Sequence, residues 1–332
     1  MGETFSDQHN QIFAVQDSTK RQEILTSFEE NSKKATEHFS KFADRPERWN
    51  QASNDAKEAV KGIYSDIGIE VDDEEFPEIL VIPSHKAHEA LDSYFQFEDF
   101  DWSKVGGLHL QEERLILVMN YYDSGLIEEK ILHEHFHASG KNITNHLLNT
   151  DGDIYRSYRT GLKSVNFNGQ DSGTALEEGI NLFSTFNIVA FDETEYGHDL
   201  RLKFQQSRFD SIGGESKRYA IKSGIYYQEL SPEDTIRALE RDRDKTGKQL
   251  YCYDLIKLLV TRGGEDMRQD LLIARRDVTK RKALFDRIET LLDKDLAVRV
   301  FSVPYESQDI QDLVKDVESF ISEQQDLPTN QD

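Results

Sequence analysis

The stretch "ILHEHFHASG", Ile131–Gly140, places three histidines and a glutamate within five residues. His133, Glu134 and His137 form H-E-x-x-H. Residues four apart share one face of a helix, so both imidazoles converge on one point, where Zn²⁺ about 2.0–2.1 Å from each nitrogen would sit. Glu134 follows the first ligand and points beside the metal, placed to take a proton from water. His135 faces elsewhere on the helix and reads as a packing or surface histidine. Chance yields H-E-x-x-H in roughly two or three of a hundred such chains. Context therefore has to carry part of the argument.

The context is a helix that follows strands. "EILVIPS" is a short apolar run of buried-strand character, and "SHKAHEALDSYFQF" reads as a helix with Ser84 as its N-cap. "GGLHL" and "RLILVMN" read as two strands joined at "QEE". "DSGLIEEKILHEHFHASG" then reads as a helix capped by Asp123 or Ser124 and closed by Gly140. "YRSYRTGLKSVNFNG" is a hairpin or loop, and "TALEEGINLFSTFNIVAF" is a second long apolar helix.

Two histidines do not hold a catalytic zinc, for which three protein ligands are usual. The extension H-x-x-G-x-x-H fails because its last position is Ile143, and His146 lies out of register. The other source is a glutamate on a later helix. Thr174 and Glu177 make a T-x-x-E capping box, which gives Glu177 a structural task. Glu178 is then free to project inward beside Gly179, whose missing side chain lets a neighbouring helix approach closely. Glu178 is the favoured ligand and Glu177 its rival. Asn181 is a candidate to orient one of the two histidines.

The pieces "HEHFH" and "LEEGIN" together resemble the gluzincin group of zinc metallopeptidases, over about residues 76–265. The resemblance implies an α+β fold: a zincin-like metallopeptidase core of a small sheet, an active-site helix and a glutamate helix, with helical N- and C-terminal regions. It departs from the thermolysin-like and M1 aminopeptidase-like patterns, since Glu177 stands where Asn is found and Leu182 where an Asp would lie. It also implies an edge strand that receives the peptide, for which Gly107, Leu108 and His109 are the candidates. An oxyanion-stabilising Tyr or His is implied as well. Tyr251 suits the spacing best, with Tyr253, Tyr226 and Tyr227 as rivals and core packing as the competing role of each.

The function expected is hydrolysis of peptide bonds by zinc-activated water. His133, His137 and Glu178 hold Zn²⁺, and Glu134 acts as general base and then delivers the proton to the leaving amine. Two other readings stay open. One is a catalytically inactive zinc-binding scaffold closed by His146 or Glu177, and the other is a helical protein-interaction module in which the motif is accidental.

The whole chain bounds these readings. It has 332 residues, with 10% aromatic, enough for a sizeable core. Residues 1–72 read as a helical N-terminal region, 73–213 as the catalytic core, 214–322 as a helical C-terminal subdomain and 323–332 as a flexible tail. A net charge of −23 argues against nucleic acid as a partner and against anionic membranes. The metallopeptidase resemblance implies a peptide or protein as the substrate. No run is apolar for long enough to span a bilayer. Cys252 is the single cysteine, so no intrachain disulfide forms, and it reads as buried and inert. No signal peptide is visible, and the expected compartment is cytoplasmic. Gly2 and Ser6 match an N-acylation pattern, in an acidic segment that argues against it.

Overall fold

The computed structural model describes residues 10–13, 18–44, 47, 49–96, 101–102, 105–110, 113–120, 126–148, 154–166, 168–211, 230–243 and 247–325. Gly2, Ser6, Asp123, Ser124, Tyr226 and Tyr227 lie outside them. The fold is mixed α+β and mostly helical, with two small sheets. No helix among the described residues is long and apolar enough to cross a membrane.

The first sheet contains β2 (Glu78–Pro83), β3 (Gly107–Leu110) and β4 (Leu115–Asn120), in the order β2-β4-β3. β2 runs parallel to β4, and β3 runs antiparallel to it as an edge. Side chains of a strand alternate between faces. Ile116 and Val118 accordingly enter the main core, while Leu115, Leu117 and Met119 enter a smaller cluster. That smaller cluster includes Phe39 of α1 (Ser18–Ser40) and Ala87 and Leu91 of α3 (Ser84–Phe95). Burial on both faces explains why "RLILVMN" is apolar throughout rather than alternating. Ser84 is the first residue of α3 rather than its cap. Pro83 holds the cap position, and no side chain caps the helix.

The main core is built on helices. α2 (Asn50–Ser65) contributes Ala56, Val60 and Tyr64, and α4 (Ile127–Ser139) contributes Ile131, Leu132 and Phe136. α5 (Thr174–Phe191) and α8 (Lys248–Arg276) pack against each other in that core. Helix α4 starts after Leu126, with no side-chain cap, and ends at Gly140. Gly140 is not left-handed there (φ −66°); a Cβ would lie 2.8 Å from the Gly161 Cα, so close chain approach requires the glycine. Gly264 (φ +69°) kinks α8, and the helix continues beyond it to Arg276.

The second sheet lies outside the sequence expectations, apart from its hairpin. β1 (Asn10–Phe13) pairs parallel with β5 (Asn142–Leu148), and β6 (Ile154–Thr160), β7 (Lys163–Val165) and β8 (Asp171–Ser172) follow antiparallel. The N-terminal region read as helical thus contains a strand. The expected hairpin is β6–β7, and its turn at Gly161 and Leu162 reaches the glutamate helix. α6 (Glu195–Ser211), α7 (Pro232–Arg243), α9 (Arg281–Leu291), α10 (Lys294–Ser302) and α11 (Ser307–Gln325) complete the chain.

Candidate metal centre

Helix α4 carries the two histidines on one face. His133 Nε2 and His137 Nε2 are 3.2 Å apart, with the rings edge to face. Glu178 arrives from α5: its Oε1 lies 3.4 Å from His137 Nε2, and its Oε2 lies 3.8 Å from His133 Nε2. One atom from each of His133, His137 and Glu178 can be chosen so that all three lie within 4.8 Å of one another. This group could hold a metal ion. Two buried atoms of the group, Glu178 Oε2 and His133 Nδ1, have no hydrogen-bond partner among the described residues. A buried carboxylate oxygen that faces an imidazole and lacks a donor is what a cation would satisfy. The donor set, two nitrogens and one carboxylate oxygen, suits a borderline metal such as zinc.

The electrostatics follow from this crowding. Burial alone would raise the Glu178 pKa, but His137 and His133 outweigh it and hold the carboxyl well below its ordinary range. Burial alone would lower the His137 pKa. Glu178, Glu134 and Glu177 outweigh that and raise it to about 9. On the other face of α4, His135 is fully buried. Its ring lies edge-on to Phe76, and its Nε2 is 3.0 Å from the Ser53 hydroxyl. Burial, with Lys57 and His109 adding to it, pushes the His135 pKa down to about 3. His135 is a packing histidine.

Glu134 is buried, and its carboxylate lies against Gly107 on β3, so closely that any Cβ at Gly107 would fall inside it. The glycine at that strand position is therefore a requirement of space. His109 is two residues on, on the same face of β3. Burial and the charge of His137 lower its pKa to about 3. Leu108 packs on the smaller core cluster instead.

The two neighbouring glutamates divide their tasks in a way that corrects the capping-box reading. Helix α5 is preceded by Gly173 in the left-handed conformation, and the Thr174 hydroxyl donates to Asp171 Oδ1 at 2.5 Å. Glu177 is not at a solvated helix start but is 1% exposed. Its Oε2 accepts from Leu162 N at 2.8 Å and from Arg275 Nε at 3.1 Å. Its Oε1 accepts from Arg275 Nη2 at 2.8 Å and from Asn181 Nδ2 at 3.2 Å. Asn181 Nδ2 also lies 2.7 Å from His137 Nδ1, so of the two histidines Asn181 orients His137. Gly179 does allow close approach: a Cβ there would strike the Cys252 carbonyl and lie 2.6 Å from Ile256 Cγ1. Cys252 is buried, and burial raises its thiol pKa well above normal.

The tyrosines are differently placed. The Tyr251 hydroxyl accepts from Gln311 Nε2 of α11 at 2.8 Å, and its ring packs on the main core. Tyr253 packs against Phe186 and Phe183. For His146 only the strand backbone is described. Arg275 is the residue that sequence reasoning missed. Its signal was position: it follows Leu271 by four residues on the buried face of α8, where a charge needs a partner.

No family model, curated protein or solved structure matches the chain.

Proposed function

We propose that this chain is a zinc-dependent peptide hydrolase of gluzincin type, with β2–β4, α4 and α5 as its zincin-like core. The observation that carries the reading is the convergence of His133, His137 and Glu178 from two helices while Glu134 projects from the same helix toward the edge strand β3. In this reading His133 and His137 give one ring nitrogen each and Glu178 one carboxylate oxygen. Zinc held there would polarise a carbonyl and make a water acidic near neutral pH.

The chain's own residues would do the rest. Glu134 accepts the water proton on its carboxylate and returns it to the departing amine. The outer edge of β3 at Gly107–His109, unpaired among the described residues, would offer backbone groups to an extended peptide aligning as a further strand. Asn181 and Glu177 hold the His137 ring from behind. A closed, inert zinc scaffold needs a fourth protein ligand. Glu177 is poorly suited to that, because both its oxygens are already engaged.

The test is Glu134→Gln. Zinc content should stay at the wild-type level while turnover of a peptide library falls by roughly 10²–10⁴-fold. Undiminished turnover with zinc retained would remove Glu134 from the role of base.

A further inference from the structure

Arg275 is 0% exposed, and a guanidinium taken fully out of water requires partners on every side. It has them from three helices. It grips Glu177 of α5 in a two-pronged ion pair, donates through Nη1 to the Tyr64 hydroxyl of α2 at 2.7 Å, and donates through Nη2 to the Phe136 carbonyl of α4. Phe136 immediately precedes His137. Glu177 immediately precedes Glu178 and shares Asn181 with the His137 ring. Residues next to two of the three candidate ligands therefore meet on one side chain. Leu162 N, at the β6–β7 turn, closes the remaining side of Glu177 at 2.8 Å.

We propose that Arg275 is a positioning residue for the metal ligands: it clamps Glu177, through Glu177 and Asn181 it fixes the ring of His137, and through Tyr64 it makes helix α2 part of the site. The proposal rests on the reading of His133, His137 and Glu178 as metal ligands. A metal on Nε2 of His137 requires the proton on Nδ1, where Glu177 Oε1 at 3.8 Å and the Asn181 amide are the groups at hand. With Asn181 Nδ2 kept as a donor to Glu177, the Glu177 carboxylate is the acceptor for that proton. Groups behind a ligating histidine typically change metal affinity 10–100-fold when altered. On this account α2 belongs to the site, because removing it would strip Tyr64 from the clamp.

The test compares full-length wild type with the double variant Arg275→Met/Glu177→Met and with Tyr64→Phe. The double variant removes both charges together and leaves no buried charge unpaired. The Zn²⁺ dissociation constant is measured by competition with a chromophoric chelator, and the Co²⁺ visible spectrum reports ligand geometry. Circular dichroism and thermal melting check the fold. Wild type should bind one zinc. The double variant should fold yet bind zinc roughly 10–100-fold more weakly, with an altered Co²⁺ spectrum. Tyr64→Phe should weaken zinc about 3-fold without touching any ligand. A folded double variant with wild-type affinity and spectrum would overturn the clamp and leave the metal reading standing. No zinc uptake by wild type would overturn both. If the double variant does not fold, Tyr64→Phe decides, and an unchanged affinity for zinc overturns the clamp.

Discussion

The two faces of helix α4 carry histidines in opposite states. On the face toward Glu178, His137 is surrounded by carboxylates and its pKa rises to about 9. On the face toward α2, His135 sits between Phe76 and Ser53, and its pKa falls to about 3. The residues are two apart and share one helix. The difference teaches that a histidine's chemistry is set by what the neighbouring helix brings to it. Helix α5 brings Glu177, Glu178 and Asn181, whereas α2 brings a hydroxyl, apolar surface and the positive charge of Lys57.

The largest way to break this arrangement is Arg275→Met alone. It leaves Glu177 buried without its counter-charge, so unfolding free energy should drop by about 3–5 kcal/mol in denaturant titration. A loss below about 1 kcal/mol would mean that Glu177 takes up a proton or finds water instead.

Acid should sharpen the contrast between the faces. His135 has a folded pKa below its ordinary 6.5, so the unfolded chain binds the extra proton between pH 6.5 and about 3. Its contribution to stability is full above pH 6.5 and is lost as pH falls through that window. His137 has the opposite sign. In the metal-free protein its contribution is full below pH 6.5 and is lost as pH rises through about 9. His135→Phe should flatten the acid limb of a stability–pH curve by on the order of a few kcal/mol. An unchanged limb would show that His135 is not buried as described. Zinc must displace the His137 proton, so zinc affinity should rise about tenfold per pH unit until about pH 9.

A smaller effect is expected from Gly179→Ala. The added methyl meets the Cys252 carbonyl and Ile256, so α5 and α8 must part, at a cost of about 1–3 kcal/mol in thermal unfolding. Unaltered stability would mean that the helices are less tightly apposed.

How much of this was legible in sequence depends on distance along the chain. His133, Glu134 and His137 belong to one turn of one helix, so local periodicity suffices to group them. Glu178 was reachable because Gly179 beside it marks a close helix contact. Glu177 was misread because a T-x-x-E pattern looks the same whether the carboxylate turns back to its own helix start or inward to a partner. That partner, Arg275, lies 98 residues further on, and no local pattern reveals it. In the first sheet, β2 and the central β4 were visible as apolar runs, and β3 as a short strand between them in sequence. β5, "NITNHLL", was not, because its polar residues and the remote pairing with β1 leave no period-two signature.

Whether His133, His137 and Glu178 hold a metal is decided by zinc stoichiometry, from elemental analysis of wild type and Glu178→Ala purified side by side. About one zinc per wild-type chain, lost or greatly weakened in the variant, is the predicted result. No zinc in wild type after reconstitution would contradict it, and the interaction-module reading of the histidine helix would then lead.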